Sequence, residues 1–191
     1  MKNGSQLSRC PDAGLYTRRV HTVIVLVGFM GAGKTTVGRL LADRLRRPFT
    51  DLDDLVRARD GRSIPEIFRA DGEPYFRQLE SECLREILKS TQARVLAVGG
   101  GAFAQAESAA AVRKAGATVV FLDAEVGELL RRCAAEAGER PLLRDPNQFC
   151  QLYESRREAY MAADVRVETG SLAPSQVAEE ILRRLGLTRV T

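Results

Sequence analysis

A glycine-rich segment followed by a lysine and threonines is the first feature of the chain that could do chemistry. The segment GFMGAGKTT, from Gly28 to Thr36, fits the pattern G-x-x-x-x-G-K-[ST] and ends in Gly33, Lys34 and Thr35. In such a loop, backbone N–H groups curl around phosphate oxygens, the lysine neutralises them and the hydroxyl can bind Mg²⁺. The expected N–H donors are Gly31, Ala32, Gly33 and Lys34. The segment therefore predicts a binding site for nucleotide phosphates.

Two aspartates follow the next short apolar segment. Asp51 and Asp53 are separated by one residue at the end of a predicted strand. Because side chains alternate along an extended chain, both carboxylates should share a face. We expect one to lie near Mg²⁺, directly or through water, and the other to accept a proton or hydrogen bond from a substrate hydroxyl. The alternative is that Asp53 or Asp54 only caps the following helix.

Further candidates are an arginine on a helix and a run of glycines. Arg77 and Glu80 are one helical turn apart, a spacing that is also typical of a solvated ion pair. Gly99, Gly100 and Gly101 directly follow an apolar strand. Glycines at the carboxyl end of a strand allow a close approach of the backbone to a ligand, which is the role we expect for them.

The second half of the chain adds candidate arginines. The segment GERPLLRDP is typical of an exposed loop. As part of a lid, an arginine in it could meet the charge that develops on a transferred phosphoryl group, with Arg140 the first candidate and Arg144 the second. Arg156 and Arg157 lie on a predicted helix with Tyr160, where arginines are ordinarily surface residues.

Apolar strands and amphipathic helices alternate along the chain and must position these side chains. Strands are predicted at 23–27, at PFT before Asp51, at 94–98, at 118–122 and at DVRVET. Helical spacing of apolar residues lies between them, including a short helix that begins with a Ser63–Glu66 capping box and a helix around 152–161. This alternation predicts an α/β fold with a three-layer, doubly wound, five-stranded parallel sheet.

Length and composition favour one domain. The chain has 191 residues, of which 45% are hydrophobic, enough for one substantial core. We expect a loosely ordered N-terminal arm over 1–22, a single domain over 23–187 and a tail over 188–191. The arm lacks the apolar segment of a secretory signal, and no run approaches the roughly 18 apolar residues of a membrane span. We therefore expect a soluble protein without a membrane partner.

Charge and cysteine usage narrow the function classes. The net charge is +4, with 29 basic and 25 acidic residues. The arginines are spread among the acidic residues and are not gathered in a block with interleaved aromatic residues, which favours small anionic ligands over nucleic acid. The four cysteines are scattered and His21 is the only histidine. This pattern indicates reduced thiols in a cytoplasm and argues against a zinc site or histidine-based catalysis.

Together these motifs resemble those of the shikimate kinases, a family of small P-loop phosphotransferases of the nucleoside-monophosphate-kinase type. The resemblance covers about 23–187 and lies in GFMGAGKTTVGRLLA, DLD, DGRSIPEIFRADGEPYFRQLE, GGG and ERPLL, in family order. It implies ATP-dependent phosphorylation of the 3-hydroxyl of shikimate, giving shikimate 3-phosphate and ADP, a step in chorismate and aromatic amino-acid biosynthesis. It further implies a cytoplasmic monomer that uses ATP as co-substrate and one Mg²⁺ per subunit.

The resemblance also implies roles for individual residues. The residues implied to bind ATP are Gly31, Ala32, Gly33, Lys34, Thr35, Thr36 and Arg140. Thr35 would bind Mg²⁺, and Asp51 would support the metal through water. The residues implied to be catalytic are Lys34, Asp53 and Arg140. The residues implied to bind shikimate are Asp53, Arg77, Gly99, Gly100, Gly101 and Arg156.

Two departures from the family pattern qualify this assignment. Where the family has R-x-P-L-Y, this chain reads RREAY, so Arg156 is the better match and Arg157 the alternative. The segment TGSLAPS lacks an arginine that some members have near the adenine, so no adenine contact is assigned.

Three other functions remain open from the sequence. A gluconate kinase would share the phosphate loop and the lid, and gluconate also carries a carboxylate. A nucleotide-dependent switch is a second class, although the guanine-reading N-K-x-D tetrapeptide of GTPases does not occur. An inactive relative is the third, although Lys34, Thr35, Asp53, Arg77 and Arg140 are all present.

Overall fold

The computed structural model describes residues 23–90, 92–135 and 145–187. Its strands are β1 (Ile24–Val27), β2 (Phe49–Asp51), β3 (Val95–Ala97), β4 (Thr118–Asp123) and β5 (Val165–Glu168). They form one parallel sheet in the order β2-β3-β1-β4-β5.

Helices connect the strands and cover both sides of the sheet. They are α1 (Lys34–Leu45), α2 (Leu52–Asp60), α3 (Ile64–Ala70), α4 (Gly72–Leu88), α5 (Ala106–Lys114), α6 (Val126–Ala135), α7 (Pro146–Met161) and α8 (Pro174–Arg184). The predicted doubly wound, five-stranded α/β fold is thus confirmed. None of the described helices has both the length and the apolar character that crossing a membrane would require.

The central strand shows why the sequence forms this sheet. All four residues of β1 are fully buried, because helices cover both faces and leave no polar side of the strand. In register, Ile24 pairs with Val95 of β3 on one side and with Thr118 of β4 on the other. Since all strands run in one direction, the loops that follow β1, β2 and β3 meet at the same carboxyl edge of the sheet.

Helix α7 begins earlier than the sequence predicts. The structure continues the predicted helix around 152–161 back to Pro146, in a segment that reads as a loop. The side chain of Asp145 accepts hydrogen bonds from the backbone N–H groups of Asn147 and Gln148, at 2.9 and 3.3 Å. Proline at the first helical position has the required φ and needs no hydrogen-bond partner, so Asp-Pro starts this helix.

Candidate active site

The phosphate loop joins β1 to α1, and two of its positions require glycine. Gly28 has a φ of 145°, and a Cβ there would lie 2.6 Å from the carbonyl oxygen of Leu122. Gly31 has a φ of 78°, and a Cβ there would lie 2.9 Å from both the Sγ of Cys133 and the carbonyl oxygen of Leu129. Both a left-handed conformation and close packing therefore exclude side chains from this loop.

Lys34 is folded back onto the loop. Its Nζ donates hydrogen bonds to the carbonyl oxygens of Gly28 and Phe29, at 2.8 and 2.9 Å. Burial lowers the pKa of Lys34 to about 8, although the nearby carboxylates of Asp53 and Asp51 act in the opposite direction. The ammonium group is thus enclosed with carbonyl oxygens. Phosphate oxygens that replaced them would be stronger acceptors, because they are charged.

Asp51 links the phosphate loop to α2. The Thr35 hydroxyl donates a hydrogen bond to Oδ2 of Asp51 at 2.8 Å. The other carboxylate oxygen accepts a hydrogen bond from the backbone N–H of Asp53 at 3.1 Å, so Asp51 is the N-cap of α2. The alternative that Asp53 or Asp54 caps this helix is therefore wrong.

Asp53 lies near Asp51 for a different reason from the predicted one. Only Asp51 belongs to the strand, and Asp53 is already in the first turn of α2. The cap, and not alternation along a strand, brings the two residues together. Burial, followed by the charge of Asp51, raises the pKa of Asp53. This carboxyl group therefore binds a proton more readily than an exposed aspartate does.

Arg77 and Glu80 on α4 form an ion pair that is largely enclosed. Nη1 of Arg77 lies 2.7 Å from Oε2 of Glu80, and the two side chains are 19% and 2% exposed. Burial raises the pKa of Glu80, against the attraction of Arg77. In the described ranges, Oε1 of Glu80 is the one buried side-chain nitrogen or oxygen without a hydrogen-bond partner. The pair is thus not the solvated pair that its spacing also suggests.

The glycine triplet packs against this pair. A Cβ on Gly101 would lie 2.4 Å from Nη2 of Arg77, and a Cβ on Gly99 would lie 2.7 Å from Oε1 of Glu80. The carbonyl oxygen of Gly100 accepts a hydrogen bond from the Tyr160 hydroxyl. The absence of side chains in the triplet therefore leaves space for the charged groups of Arg77 and Glu80.

Arg156 and Arg157 have different surroundings in the structure. The guanidinium of Arg156 lies 5.8 Å from the centre of the Phe29 ring, and burial lowers the pKa of Arg156. Among the described residues, no carboxylate lies within ion-pair distance of Arg156. Arg157 instead lies near Tyr153 and Asp123 and lines another cavity. The geometry favours Arg156 for an anionic ligand.

One cavity of about 640 Å³ brings most predicted residues together. The predicted residues that line it are Gly31, Lys34, Thr35, Asp51, Asp53, Arg77, Gly99, Gly100, Gly101 and Arg156. Ala32, Gly33 and Thr36 belong to the same loop or to the start of α1 but do not line the cavity. Arg140 and Arg144 lie outside the described residues.

Arg132 is a neighbour of the phosphate loop that the sequence did not indicate. Its guanidinium donates to the carbonyl oxygens of Thr169 at 2.6 Å, Gly170 at 3.3 Å and Gly31 at 3.5 Å. It thereby joins the loop after β5 to the phosphate loop. The helical spacing of Glu128 and Arg132 indicates an ion pair, but surface ion pairs have the same spacing, so it does not point to the phosphate loop.

Comparisons with known proteins agree with this geometry. A family model described as shikimate kinase matches residues 30–186 of the chain. The shikimate kinase of Persephonella marina is 40% identical over 163 residues, which cover 85% of this chain and 98% of the relative.

Solved structures give the same result. The crystal structure of shikimate kinase from Aquifex aeolicus has a TM-score of 0.77 and 41% identity, covering 86% of this chain and 96% of that chain. The structure of shikimate kinase from Acinetobacter baumannii in complex with shikimate has a TM-score of 0.80 and 38% identity, covering 86% and 92%. These matches confirm the resemblance seen in the motifs, and the chain belongs to the shikimate kinase family.

Proposed function

We propose that the chain transfers the γ-phosphoryl group of ATP to the 3-hydroxyl of shikimate, giving shikimate 3-phosphate and ADP. The observation that carries the proposal is that one cavity is lined both by the phosphate loop, here called its donor end, and by an aspartate with two arginines, here called its acceptor end. The family to which the chain belongs supports the same acceptor, as does the relative solved with shikimate.

The donor end fits a nucleotide with one Mg²⁺. The Thr35 hydroxyl and the Asp51 carboxylate are adjacent oxygen donors, which are the ligands that Mg²⁺ prefers. No cluster of three acidic, histidine or cysteine side chains in the described ranges could hold a metal alone. Thr35 would be a ligand of the ion, and Asp51 would act through water. When bound, Mg²⁺ neutralises charge on the β- and γ-phosphates.

The acceptor end fits a carboxylate that carries ring hydroxyls. Arg156 is half-buried without a carboxylate partner in ion-pair range among the described residues, so an anionic ligand would stabilise it. Arg77 is held in place by Glu80 and is the second donor for the carboxylate. Asp53 would accept a hydrogen bond from the hydroxyl to be phosphorylated, and the backbone of Gly100 would contact a neighbouring one.

Charge sets the main problem of the reaction, because both substrates are anions. Lys34 and the phosphate loop hold the phosphates, and Arg77 and Arg156 hold the carboxylate, so the two reactants can meet despite their repulsion. The hydroxyl oxygen then bonds to the γ-phosphorus as the bond to the β,γ-bridging oxygen breaks and ADP leaves. Asp53 orients the hydroxyl, and its raised pKa makes it a suitable acceptor for the proton that is released.

Arg140 completes the proposal on the strength of the resemblance alone, as a contact of ATP and of the transferred phosphoryl group. A cytoplasmic location and a monomeric state also stay predictions. Size-exclusion chromatography with light scattering would test the monomer.

A comparison of acceptors tests the proposed function. ADP release with Mg-ATP would be measured with shikimate, with gluconate and without an acceptor. We expect turnover that depends on shikimate. Turnover with gluconate alone would instead show a gluconate kinase, and ADP release that is independent of any acceptor would contradict the kinase proposal.

A further inference from the structure

Among the described residues that line the cavity, one arginine has no role in the proposed reaction. Its cationic lining side chains are Lys34, Arg57, Arg77 and Arg156. Lys34 serves the phosphates, and Arg77 and Arg156 serve the carboxylate. Arg57 remains, on the wall that also holds Asp53.

Arg57 lies at the rim of the cavity. It follows Asp53 by one turn of α2, and its Nε donates to the carbonyl oxygen of Asp53 at 3.3 Å. The Arg57 side chain is 52% exposed, whereas that of Arg77 is 19% exposed. Of the two arginines, Arg57 is therefore the more accessible to an anion in solvent.

The ion pair of Arg57 with Asp54 does not account for this placement. Exposed pairs at this helical spacing stabilise a protein little and can form anywhere on its surface. Arg57 lines the cavity and Asp54 does not, so the guanidinium is the member of this pair that contributes charge to the cavity. Arg59, two residues later, instead pairs with Glu86 of α4 and lines a separate cavity.

The other charges near the acceptor end explain why a cation at the rim matters. Asp53 and Glu80 line this end and repel an anionic acceptor. Arg77 is already paired with Glu80 and with Glu73, so its attraction for a distant anion is reduced. A cation at the entrance offsets this repulsion over a longer range than a hydrogen bond can.

We infer that Arg57 recruits the anionic acceptor: it attracts the carboxylate into the cavity and does not contact the reacting atoms. The inference rests on the proposed function. Recruitment by a long-range field changes the rate of association, so it affects kcat/KM for shikimate and not kcat. It also weakens with salt, because the Debye length falls from about 30 Å at 0.01 M to about 8 Å at 0.15 M ionic strength.

The expected effect is small but specific. At a separation of several ångströms in water, one unit charge changes a rate of encounter by a factor of about two to four. Arg57→Gln should therefore lower kcat/KM for shikimate by about two- to fourfold at low ionic strength, and Arg57→Glu by about the square of that factor. Both differences should disappear at high salt, and kcat should stay at the wild-type value.

The test is a salt series of steady-state kinetics at saturating Mg-ATP, with wild type, Arg57→Gln, Arg57→Glu and the matched control Arg59→Gln. Support requires a graded, salt-sensitive loss of kcat/KM in the Arg57 variants and none in the control. Equal kinetics of Arg57→Gln and Arg59→Gln would overturn the inference. So would a loss in kcat or a salt-independent loss in kcat/KM, because either would indicate a direct or structural role. If wild type does not phosphorylate shikimate at all, the proposed function itself is wrong.

Discussion

Asp53 carries its charge in an unfavourable place. Burial and the adjacent Asp51 both raise the pKa of Asp53, so its carboxylate is less stable in the folded protein than in the unfolded chain. The function proposed for this group therefore opposes the stability of the fold. Such opposition is typical of residues selected for chemistry.

Asp53→Asn should separate the two effects. We expect a loss of shikimate-dependent turnover of about a hundredfold or more, because the hydroxyl loses its proton acceptor. The variant should also melt at a higher temperature than wild type at neutral pH, since it has no carboxylate to bury. This gain in stability should shrink as the pH falls through the raised pKa of Asp53, because the wild-type group then becomes neutral too. Turnover near the wild-type rate would show that Asp53 is neither base nor orienting group.

Lys34 gives a second prediction at this scale, in the pH dependence of ATP binding. In the empty protein, Lys34 loses its proton near pH 8, and bound phosphates should raise its pKa again. ATP affinity should therefore fall as the pH rises above about 8, and binding near pH 8.5 should take up a proton. Isothermal titration in two buffers of different ionisation enthalpy measures this uptake. A proton count of zero would show that Lys34 is fully charged before ATP arrives.

At the scale of elements, the loop after β3 and helix α4 fit together at Arg77. A side chain at position 101 would displace the guanidinium of Arg77, and glycine avoids this clash. Arg77 is in turn fixed by Glu80, one turn further along the same helix. The acceptor end thus depends on the fit between a loop and a helix that are distant in sequence.

Gly101→Ala should disturb this fit with little effect on the fold. Because the added methyl group meets the end of a flexible side chain, Arg77 should move and the backbone should not. We expect KM for shikimate to rise roughly tenfold, the cost of about one charge-assisted hydrogen bond, with KM for ATP unchanged. Gly127→Ala on α6 is the matched control, since nothing lies within 4 Å of a Cβ there. An unchanged KM for shikimate in Gly101→Ala would place the carboxylate away from Arg77.

The elements that the sequence predicted are those with strong local signals. The apolar runs of β1, β3 and β4, the capping box at Ser63 and the glycine-rich loop depend on neighbours in sequence. The enclosure of Glu80 does not, because it comes from packing of α4 against Gly99. The position of Arg57 at the rim depends in the same way on how α2 lies beside the cavity. Patterns in sequence indicate which face of a helix is apolar, but not what lies opposite a polar residue.

At the scale of the whole molecule, the parallel sheet itself assembles the two-substrate cavity. The phosphate loop follows β1, Asp51 ends β2, and the glycine triplet comes after β3, so three adjacent strands contribute at one edge. Helix α7 then brings Arg156 across Phe29 of the phosphate loop. Residues of the donor end and of the acceptor end therefore line the same cavity.

The reaction proposed for this cavity transfers a phosphoryl group from ATP to one ring hydroxyl of shikimate. Phosphorus-31 NMR of the reaction with Mg-ATP and shikimate tests it most directly. We expect the γ-phosphate signal to be replaced, in equal amounts, by ADP and a single phosphomonoester coupled to the proton on carbon 3. Release of inorganic phosphate without a phosphomonoester, or an ester at another hydroxyl, would contradict it.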